Sequence, residues 1–391
     1  MRIAEFGKYY PPHPGGIESY VQQCCSALSH EHEVRAFVYN TCMKQVHDTI
    51  NDIRVYRAPR ILEFASQPVA LTLGHNIKLF SPDLLHLHWP NPLSAIICET
   101  QLKEIPVVVT HHADITRQRL LRHAVIPTYR KLLKRATSVI VTSGKTAAQS
   151  NDLGRARRDT TMIPIGVNEA SLALTPTVER YMDYLRRVVV NRNHLVVGFV
   201  GRLVSYKGID VLLKALVGLP GVSAIIAGDG PLRATLQAAA YNFGVADRVK
   251  FLGQINDFMR AALYRTIDIF VLPSVSTAET FGIVQVEAQL CQCPIIASNL
   301  SSGVTEVTIH GTTGLCVQPG NSEALAEAVK LLAANPELRK RFGKAGFERA
   351  SALYKAAAVD ERLREHFRFL ESRLNARVHR HGAATPTSEF T

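Results

Sequence analysis

Two glutamates, Glu279 and Glu287, flank the start of a predicted helix in the second half of the chain. Thr280 is suited to the N-cap of that helix, which would place Glu279 just before it and Glu287 two turns inside it. At about 100° per residue, this spacing leaves the two carboxylates within roughly 80° of one another, so they can point into one crevice. The helix start would favour a diphosphate, and the carboxylates would accept hydrogen bonds from sugar and ribose hydroxyls. For this segment alone, two exposed helix glutamates are the competing interpretation.

A glycine-rich turn earlier in the chain carries two cations. A predicted strand leads into Gly201, and Arg202 and Lys207 precede Gly208 and the next predicted helix. Glycines at a strand-to-helix turn let backbone amides approach a phosphate, and the flanking cations can neutralise a diphosphate. The turn fits neither a Walker loop nor the glycine fingerprint of dinucleotide-binding domains. We therefore predict an anion site here, and a surface turn with two solvated cations is the alternative.

Predicted strands and helices, which must position these motifs, alternate along the chain in two series. The first series runs from residue 3 to residue 142 and the second from residue 196 to residue 297, with a polar stretch at 169–194 between them. Strands that alternate with helices are typical of parallel sheets covered on both faces, with ligands bound at the carboxyl ends of the strands. The sequence thus predicts an α/β fold of two doubly wound, Rossmann-like domains with the active site in the cleft between them.

The length of 391 residues fits two domains, because a typical domain has roughly 150 residues. We expect an N-terminal domain at residues 1–187 and a ligand-binding C-terminal domain at residues 188–355. A C-terminal helix at 356–377 is expected to pack back on the N-terminal domain, and residues 378–391 are expected to form a flexible tail because they lose hydrophobic periodicity.

The charge balance points to an anionic partner. The chain has 45 Lys and Arg residues against 33 Asp and Glu, a net charge of +12 at pH 7. Such a balance is typical of proteins that bind nucleic acid, phosphorylated metabolites or acidic membrane surfaces. The sequence carries no nucleic-acid-binding signature, so we exclude that class. It shows no signal-peptide core and no apolar run long enough to span a bilayer, and its seven cysteines are scattered, which together predict a cytoplasmic protein.

Three motifs, in their order along the chain, resemble the retaining glycosyltransferases of family 4, which have the GT-B fold of two facing Rossmann-like domains. They are Gly201-Arg202-x4-Lys207-Gly208, Gly228-Asp229-Gly230-Pro231-Leu232, and Glu279-x7-Glu287 around Phe281-Gly282. The likeness extends from Met1 to about Leu370 and includes the opening segment Tyr9–Glu18. In one departure, Ser302-Gly303 stands where the family frequently has a Gly-Gly pair, which bears on the donor sugar more than on the reaction type.

The resemblance implies a role for each matching residue. Arg202 and Lys207 would bind the donor's diphosphate and stabilise the leaving nucleotide, Glu279 would hold the transferred sugar, and Glu287 would hold the ribose. The implied donor site comprises Gly15, Gly16, Gly201, Arg202, Lys207, Glu279, Phe281, Gly282, Ile283 and Glu287. The domain at 1–187 would then face the acceptor and the membrane, and the domain at 188–355 would bind the nucleotide sugar.

Four residues are implied in catalysis: His112, Arg202, Lys207 and Glu279. His112 is the better match to the family's active-site histidine, although either His111 or His112 could instead cap a strand end. Breaking a sugar–phosphate bond places negative charge on the departing diphosphate, so preorganised cations accelerate the step. The resemblance implies retention of configuration, and because the sequence offers no firm nucleophile we expect front-face attack by the acceptor hydroxyl. No Asp-x-Asp metal motif is present, so no metal or other cofactor is expected.

A dense basic segment lies in the N-terminal half. It has no acidic residue, and its basic side chains are Arg117, Arg119, Arg122, Arg130, Lys131, Lys134 and Arg135. Basic residues near an anionic bilayer contribute about 1 kcal/mol each, and apolar neighbours can enter the headgroup zone. We predict that this segment docks on the inner face of the membrane and presents a lipid-linked sugar. A solvated cationic helix whose leucines pack inward is the alternative.

Together these features predict a retaining hexosyltransferase of polysaccharide biosynthesis, peripherally bound to the membrane. The donor would be a GDP- or UDP-linked sugar, with general likeness favouring GDP-mannose, and the acceptor a hydroxyl of a glycan, polyprenyl-linked in this interpretation. A GT-B-like sugar-nucleotide epimerase is the alternative, because it would use the same nucleotide site without an acceptor.

Overall fold

The computed structural model describes residues 1–13, 15–64, 67–115, 119–188 and 194–382. The chain divides into two compact units. Unit 1 consists of Met1–Val141, Ser150–Ile163 and the C-terminal segment that begins at Ala357. Unit 2 consists of Thr142–Gln149 and Pro164–Ala356.

Strands and helices alternate along most of the chain. The described strands are β1 (Arg2–Phe6), β2 (Glu33–Tyr39), β3 (Val46–Ile50), β4 (Ile53–Ala58), β5 (Leu62–Phe64), β6 (Gln67–Val69), β7 (Leu84–Trp89), β8 (Val107–His111), β9 (Ser138–Val141), β10 (Thr160–Met162), β11 (Leu195–Val200), β12 (Val222–Ala227), β13 (Val249–Gly253), β14 (Ile269–Leu272), β15 (Ile295–Ser298) and β16 (Gly314–Val317). The described α-helices are α1 (Gly16–Leu28), α2 (Leu73–Phe80), α3 (Pro92–Thr100), α4 (Arg119–Arg135), α5 (Gly144–Gln149), α6 (Pro176–Val188), α7 (Ile209–Val217), α8 (Arg233–Asn242), α9 (Asp257–Thr266), α10 (Ile283–Leu290), α11 (Val304–Val307), α12 (Ser322–Ala334), α13 (Pro336–Leu353) and α14 (Ala356–Gly382).

Unit 1 is built on an eight-stranded sheet with the order β10-β9-β8-β7-β1-β2-β4-β3. Neighbouring strands pair in parallel, except that β3 pairs antiparallel with β4 at one edge. Every residue of β7 and β8 is buried, the pattern expected of parallel strands covered on both faces. The strand order reverses between β1 and β7, and a crevice for ligands lies beside such a reversal at the carboxyl ends of the strands.

Unit 2 is built on a six-stranded, fully parallel sheet with the order β13-β12-β11-β14-β15-β16. Numbered within the unit, this is the 3-2-1-4-5-6 order of dinucleotide-binding domains. The order reverses between β11 and β14, so the segments after these two strands border the same crevice. Both units therefore have the doubly wound α/β architecture that the alternating pattern predicted.

Side-chain caps mark the start of two helices in unit 2. The side chain of Asn256 accepts a hydrogen bond from the Met259 amide before α9, and that of Asn321 accepts one from the Ala324 amide before α12. Each cap satisfies an amide that has no partner within the helix. These helices cover the sheet and enclose its apolar core.

The division between the units falls at residues 163 and 164, whereas we expected the first domain to extend to residue 187. The difference arises because α6 packs against α9 of unit 2. Its apolar face, with Val178 and Leu185, is buried in the core of unit 2. An amphipathic helix belongs to the unit that buries its apolar face, and the sequence pattern does not name that unit.

The C-terminal helix α14 packs on unit 1. Leu363, Phe367 and Leu370 are buried, and the Phe367 ring lies 5.3 Å from that of His86. The helix continues to Gly382, past residue 378 where the flexible tail was expected to begin. The helix extends further because residues 356–381 contain no glycine or proline that would end it. Residues 383–391 of the expected tail lie outside the described residues.

Throughout the described part of the chain, every helix is too short or too polar to cross a membrane.

Candidate active site

The turn after β11 approaches the loop after β14 so closely that only glycine fits at one position. Gly208 has a φ of 64°, and a Cβ built on it would lie 2.1 Å from the carbonyl oxygen of Pro273. The Val275 amide donates a hydrogen bond of 2.8 Å to the carbonyl of Tyr206 and ties the two segments together. Glycine tolerates both the left-handed conformation and the close approach.

This approach brings Lys207 and Glu279 into contact. The Lys207 Nζ donates a hydrogen bond of 2.5 Å to Glu279 Oε2, and both side chains are buried. Ser274 Oγ donates a second hydrogen bond of 2.9 Å to the same oxygen. Burial by itself lowers the pKa of Lys207, but the negative charge of Glu279 outweighs it and the pKa is raised. Lys207 is therefore a cation at neutral pH, fixed at the carboxyl edge of the sheet.

The backbone around Glu279 is held by hydroxyl groups from elsewhere in unit 2. Ser302 Oγ donates a hydrogen bond of 2.8 Å to the carbonyl of Glu279. Thr146 Oγ1 and the Gly303 amide donate hydrogen bonds of 3.0 Å and 2.8 Å to the carbonyl of Thr280. The serine that departs from the family's Gly-Gly pair thus supports the predicted sugar-binding glutamate. Sequence reasoning missed Ser274 and Thr146, for which no spacing signal exists, and had noted Ser302 only as a departure.

The helix between the two glutamates begins later than predicted. Helix α10 starts at Ile283 with Gly282 as its N-cap, so the prediction that Thr280 caps it was wrong. The Thr280 carbonyl is already bound to Gly303, and Gly282 has a φ of 69° that favours glycine. The Phe281 ring is buried and lies 5.6 Å from that of Tyr354, edge to face. Phe281 therefore packs in the core of unit 2, and only its backbone is left for the donor-binding role that it was assigned.

Glu287 has partners of its own on α9. Tyr264 Oη donates a hydrogen bond of 2.7 Å to Glu287 Oε2, and Arg260 Nε lies 3.4 Å from the same oxygen. Burial raises the pKa of Glu287, and the charge of Arg260 lowers it only in part. Glu279 and Glu287 therefore lie in separate hydrogen-bond networks. The spacing of Arg260 and Tyr264, four residues apart on one helix face, is a signal that sequence reasoning did not use.

Arg202 differs from Lys207 in its surroundings. Its side chain is exposed and forms no hydrogen bond or ion pair with any residue in the described ranges. Gly201, just before it, follows the end of β11. An unengaged guanidinium retains all five of its N–H donors for a planar anion such as a phosphate.

The predicted residues of unit 1 lie at the reversal in its strand order and near it. Gly15 and Gly16 are exposed at the start of α1. His112 follows β8 and is buried, with its Nε2 3.3 Å from Nδ1 of His88. Burial lowers the pKa of His112 well below its usual range, and the neighbouring histidines lower it further. His112 is therefore neutral at physiological pH.

His111 has a different environment from His112. Its Nδ1 lies 2.9 Å from the hydroxyl of Tyr129, and its Nε2 lies 3.2 Å from Ser150 Oγ and 3.2 Å from Asp114 Oδ1. These contacts engage both of its ring nitrogens. Of the two candidate histidines, His111 is thus the one committed to structural hydrogen bonds.

The basic segment lies largely on α4, and part of it is bound within unit 1. Arg122 forms two hydrogen bonds with the buried Asp152, at 2.9 Å and 2.8 Å, and Arg135 donates one of 2.5 Å to Glu99. Arg130, Lys131 and Lys134 are exposed. Arg117 lies outside the described residues, and the side chain of Arg119 is among those that the structure does not describe.

Three apolar side chains of this segment do not reach the surface as the membrane prediction required. Ile126, Leu132 and Leu133 are buried in unit 1. They lie on one side of the helix, and burying that apolar stripe in the core stabilises the fold more than exposing it to the headgroup zone would. The inward-packing alternative is therefore correct for these three residues, and any membrane contact through them is excluded.

Known proteins resemble both units in sequence. Residues 14–171 match Glycosyltransferase Family 4, and residues 184–349 match Glycosyl transferases group 1. Over 362 residues the chain is 30% identical to the D-rhamnosyltransferase WbpZ of Pseudomonas aeruginosa, with 91% of this chain and 93% of that protein covered. It is 26% identical over 360 residues to the O-antigen chain mannosyltransferase C of Escherichia coli, with 91% of this chain and 95% of that protein covered.

A solved structure resembles the fold. Sucrose-phosphate synthase from Thermosynechococcus elongatus matches with a TM-score of 0.80 at 24% sequence identity. The match covers 95% of this chain and 99% of the synthase. Both α/β units thus have counterparts in that structure.

Proposed function

Since this chain belongs to glycosyltransferase family 4 and has the GT-B fold that its motifs predicted, we propose that it transfers a hexosyl group with retention of configuration. The donor is a nucleotide-diphosphate sugar, and the acceptor is a hydroxyl of a lipid-linked glycan. The observation that carries this proposal is the buried Lys207–Glu279 pair at the strand-order reversal of unit 2. A fixed cation and a fixed carboxylate beside one crevice support the binding of a nucleotide sugar, which has a diphosphate and sugar hydroxyls.

The Lys207–Glu279 pair leaves hydrogen-bonding groups free to bind a nucleotide sugar. An ammonium group has three N–H donors, and Lys207 uses one of them on Glu279. Both side-chain hydrogen bonds that Glu279 forms with described residues end on Oε2, so Oε1 is available to a sugar hydroxyl. In this proposal Lys207 and Arg202 receive the charge that develops on the departing diphosphate, and Glu279 orients the sugar. Glu287, held by Tyr264, accepts from the ribose.

A manno-configured donor is the proposed sugar class. Two relatives that match most of the chain are named for D-rhamnose and mannose transfer, and D-rhamnose is the 6-deoxy form of mannose. The name of the second relative concerns an O-antigen chain, which supports a role in bacterial surface polysaccharide synthesis. Attack by the acceptor hydroxyl from the front face, assisted by the leaving phosphate, accounts for retention without a protein nucleophile.

The donor class is tested by thermal shift followed by transfer. At 100 times its dissociation constant, GDP-mannose or GDP-D-rhamnose should stabilise the protein by about 2.7 kcal/mol, and UDP-glucose should not. With a polyprenyl-diphosphate-linked glycan added, the product should keep the anomeric configuration of the donor and should still form in excess chelator. Stabilisation by UDP-glucose alone would overturn the donor class, and an inverted product would overturn retention. Activity lost in chelator and restored by Mg²⁺ would overturn metal independence, and epimerisation of the donor without acceptor would favour the alternative enzyme.

Membrane contact is proposed for the cytoplasmic leaflet, through charge alone. Among the α4 side chains that the structure describes, the exposed cations are Arg130, Lys131 and Lys134, and basic residues near an anionic bilayer contribute about 1 kcal/mol each. A peripheral position there would bring the enzyme to a lipid-linked acceptor. This proposal needs no buried apolar side chain to leave the core.

Vesicle flotation measures that contact. Lys131→Gln/Lys134→Gln should weaken binding to anionic vesicles by about 2 kcal/mol, roughly 30-fold, and the effect should fade as salt is raised. Lys214→Gln/Lys250→Gln, which removes two exposed lysines of unit 2, is the matched control and should bind normally. Equal binding of the unaltered protein to neutral vesicles would refute an electrostatic contact.

A further inference from the structure

Unit 1 contains a chain of buried polar side chains that ends at His112. Glu5 on β1 is fully buried, and its two carboxylate oxygens contact two histidines of β7: Oε1 lies 2.9 Å from His86 Nδ1, and Oε2 lies 2.8 Å from His88 Nε2. On the far side, His86 Nε2 lies 2.7 Å from Thr110 Oγ1, and His88 Nδ1 lies 3.3 Å from His112 Nε2. One carboxylate thus anchors two arms, and only the His88 arm leads to His112.

The charge of Glu5 determines where the protons of both arms lie. Burial alone raises the pKa of Glu5, but the hydrogen bonds and charges of His86 and His88 lower it to about 2. An ionised carboxylate only accepts hydrogen bonds, so His86 must donate from Nδ1 and His88 from Nε2. Burial lowers the pKa of His88 to about 4, so at neutral pH His88 is neutral with a lone pair on Nδ1, and His112 must donate to it from Nε2. The remaining nitrogen of His112, Nδ1, is left as an acceptor.

Two rings hold His112 in place around this hydrogen bond. Its ring lies nearly parallel to that of His88, with 17° between the ring planes and the centroids 5.6 Å apart, and Tyr20 of α1 meets it edge to face at 5.0 Å. Helix α1 begins at Gly16, so the predicted glycine pair and His112 are joined through a single helix. Side chains packed in this way have one available orientation.

A buried metal site is the competing interpretation of the same cluster. Ligand atoms of Cys24, His86 and His88 lie within 4.8 Å of one another. A metal ion would need a ring nitrogen from each histidine, yet every nitrogen of these two rings already faces Glu5, Thr110 or His112 at hydrogen-bond distance. The hydrogen-bonded interpretation therefore accounts for more contacts.

We propose that Glu5 and His88 are positioning residues that fix His112 as the Nε2–H tautomer, so that its Nδ1 accepts a hydrogen bond from a substrate hydroxyl. This inference rests on the proposed function, because it assumes that His112 contacts substrate. It gives the buried carboxylate a role in transfer although Glu5 itself touches no substrate. The His86 arm shares the same carboxylate but ends at Thr110, so it does not contact His112.

The proton positions are tested directly by NMR of protein labelled with ¹⁵N-histidine. His88 and His112 should be Nε2–H tautomers, and His86 should carry a proton on Nδ1. Any other tautomer for His88 or His112 would overturn the inference, with no reference to activity. A stoichiometric divalent metal in the purified protein would overturn it in favour of the metal site.

Two matched variants test the effect on transfer. His88→Phe keeps an aromatic ring at this position but removes the hydrogen bond to His112, and kcat should fall at least about tenfold with the donor KM little changed. His86→Phe makes the same replacement on the other arm of Glu5 and leaves the contacts of His88 with Glu5 and His112 in place, so kcat should fall less than in His88→Phe. Equal losses in both variants would indicate a structural role only, and the NMR pattern of the unaltered protein decides the matter if either variant fails to fold.

His112→Ala separates this inference from the proposed function. If His112→Ala transfers normally, the role assigned to His112 is wrong. If His112→Ala loses transfer while His88→Phe retains it within about twofold, only the positioning inference is wrong, because a loss of orientation by an active-site residue should exceed that range.

Discussion

Replacing Lys207 by methionine is expected to lower kcat at least about 100-fold and to destabilise the fold by about 3–5 kcal/mol. The catalytic loss follows because a preorganised cation at the departing diphosphate is removed. The loss of stability has a different origin. Glu279 keeps its hydrogen bond from Ser274 but becomes a buried charge without a counterion.

The double variant Lys207→Met/Glu279→Gln distinguishes these two effects. With both charges gone, most of the lost stability should return, because the penalty came from the unpaired carboxylate. Activity should stay as low as in the single variant or fall further. Turnover with a nucleotide sugar and thermal unfolding measure the two quantities. Near-normal turnover of Lys207→Met would refute its role, and a double variant as unstable as the single one would refute the ion-pair explanation.

Arg202→Ala is expected to lower kcat/KM by about 100- to 1,000-fold while the free energy of unfolding changes by less than about 0.5 kcal/mol. The contrast with Lys207 comes from the surroundings of the two cations. Arg202 is exposed and makes no ion pair with any described residue, so its removal leaves no buried charge behind. Its guanidinium is free to bind the diphosphate.

Two further variants serve as controls for Arg202→Ala. Arg202→Lys should recover only part of the activity, since an ammonium group cannot form the planar pair of hydrogen bonds that a guanidinium forms with a phosphate. Arg341→Ala, which removes an exposed arginine on α13, should leave activity unchanged. A marked loss of stability in Arg202→Ala would show that Arg202 has a structural role instead.

The positions of Lys207 and Glu279 could be predicted from sequence because both follow predicted strands of a parallel sheet, whose carboxyl ends border the ligand crevice. Both residues follow strands that become neighbours at the order reversal, β11 and β14. The same reasoning could not locate the start of α10. A helix cap depends on what else binds the backbone, and here Gly303 and Thr146 bind the Thr280 carbonyl from distant parts of the sequence.

The surroundings of Glu287 and of the basic segment were beyond sequence reasoning for a related cause. Helical periodicity placed Glu287 two turns beyond the loop, but the choice of partner belongs to α9, which supplies Tyr264 and Arg260. On α4, a run of basic residues has the same pattern whether its arginines are solvated or bound. Only the fold shows that Arg122 faces the buried Asp152.

The short segment Thr142–Gln149 limits how the two units can be recombined between enzymes. It lies in the first half of the sequence but belongs to unit 2. There Thr146 donates a hydrogen bond to the Thr280 carbonyl, and Lys145 Nζ donates one of 2.8 Å to Thr305 Oγ1. A chimera joined at residues 163 and 164 would take these contacts from a foreign sequence. Exchange of donor specificity between relatives should therefore succeed more often when residues 142–149 are exchanged together with residues 164–356.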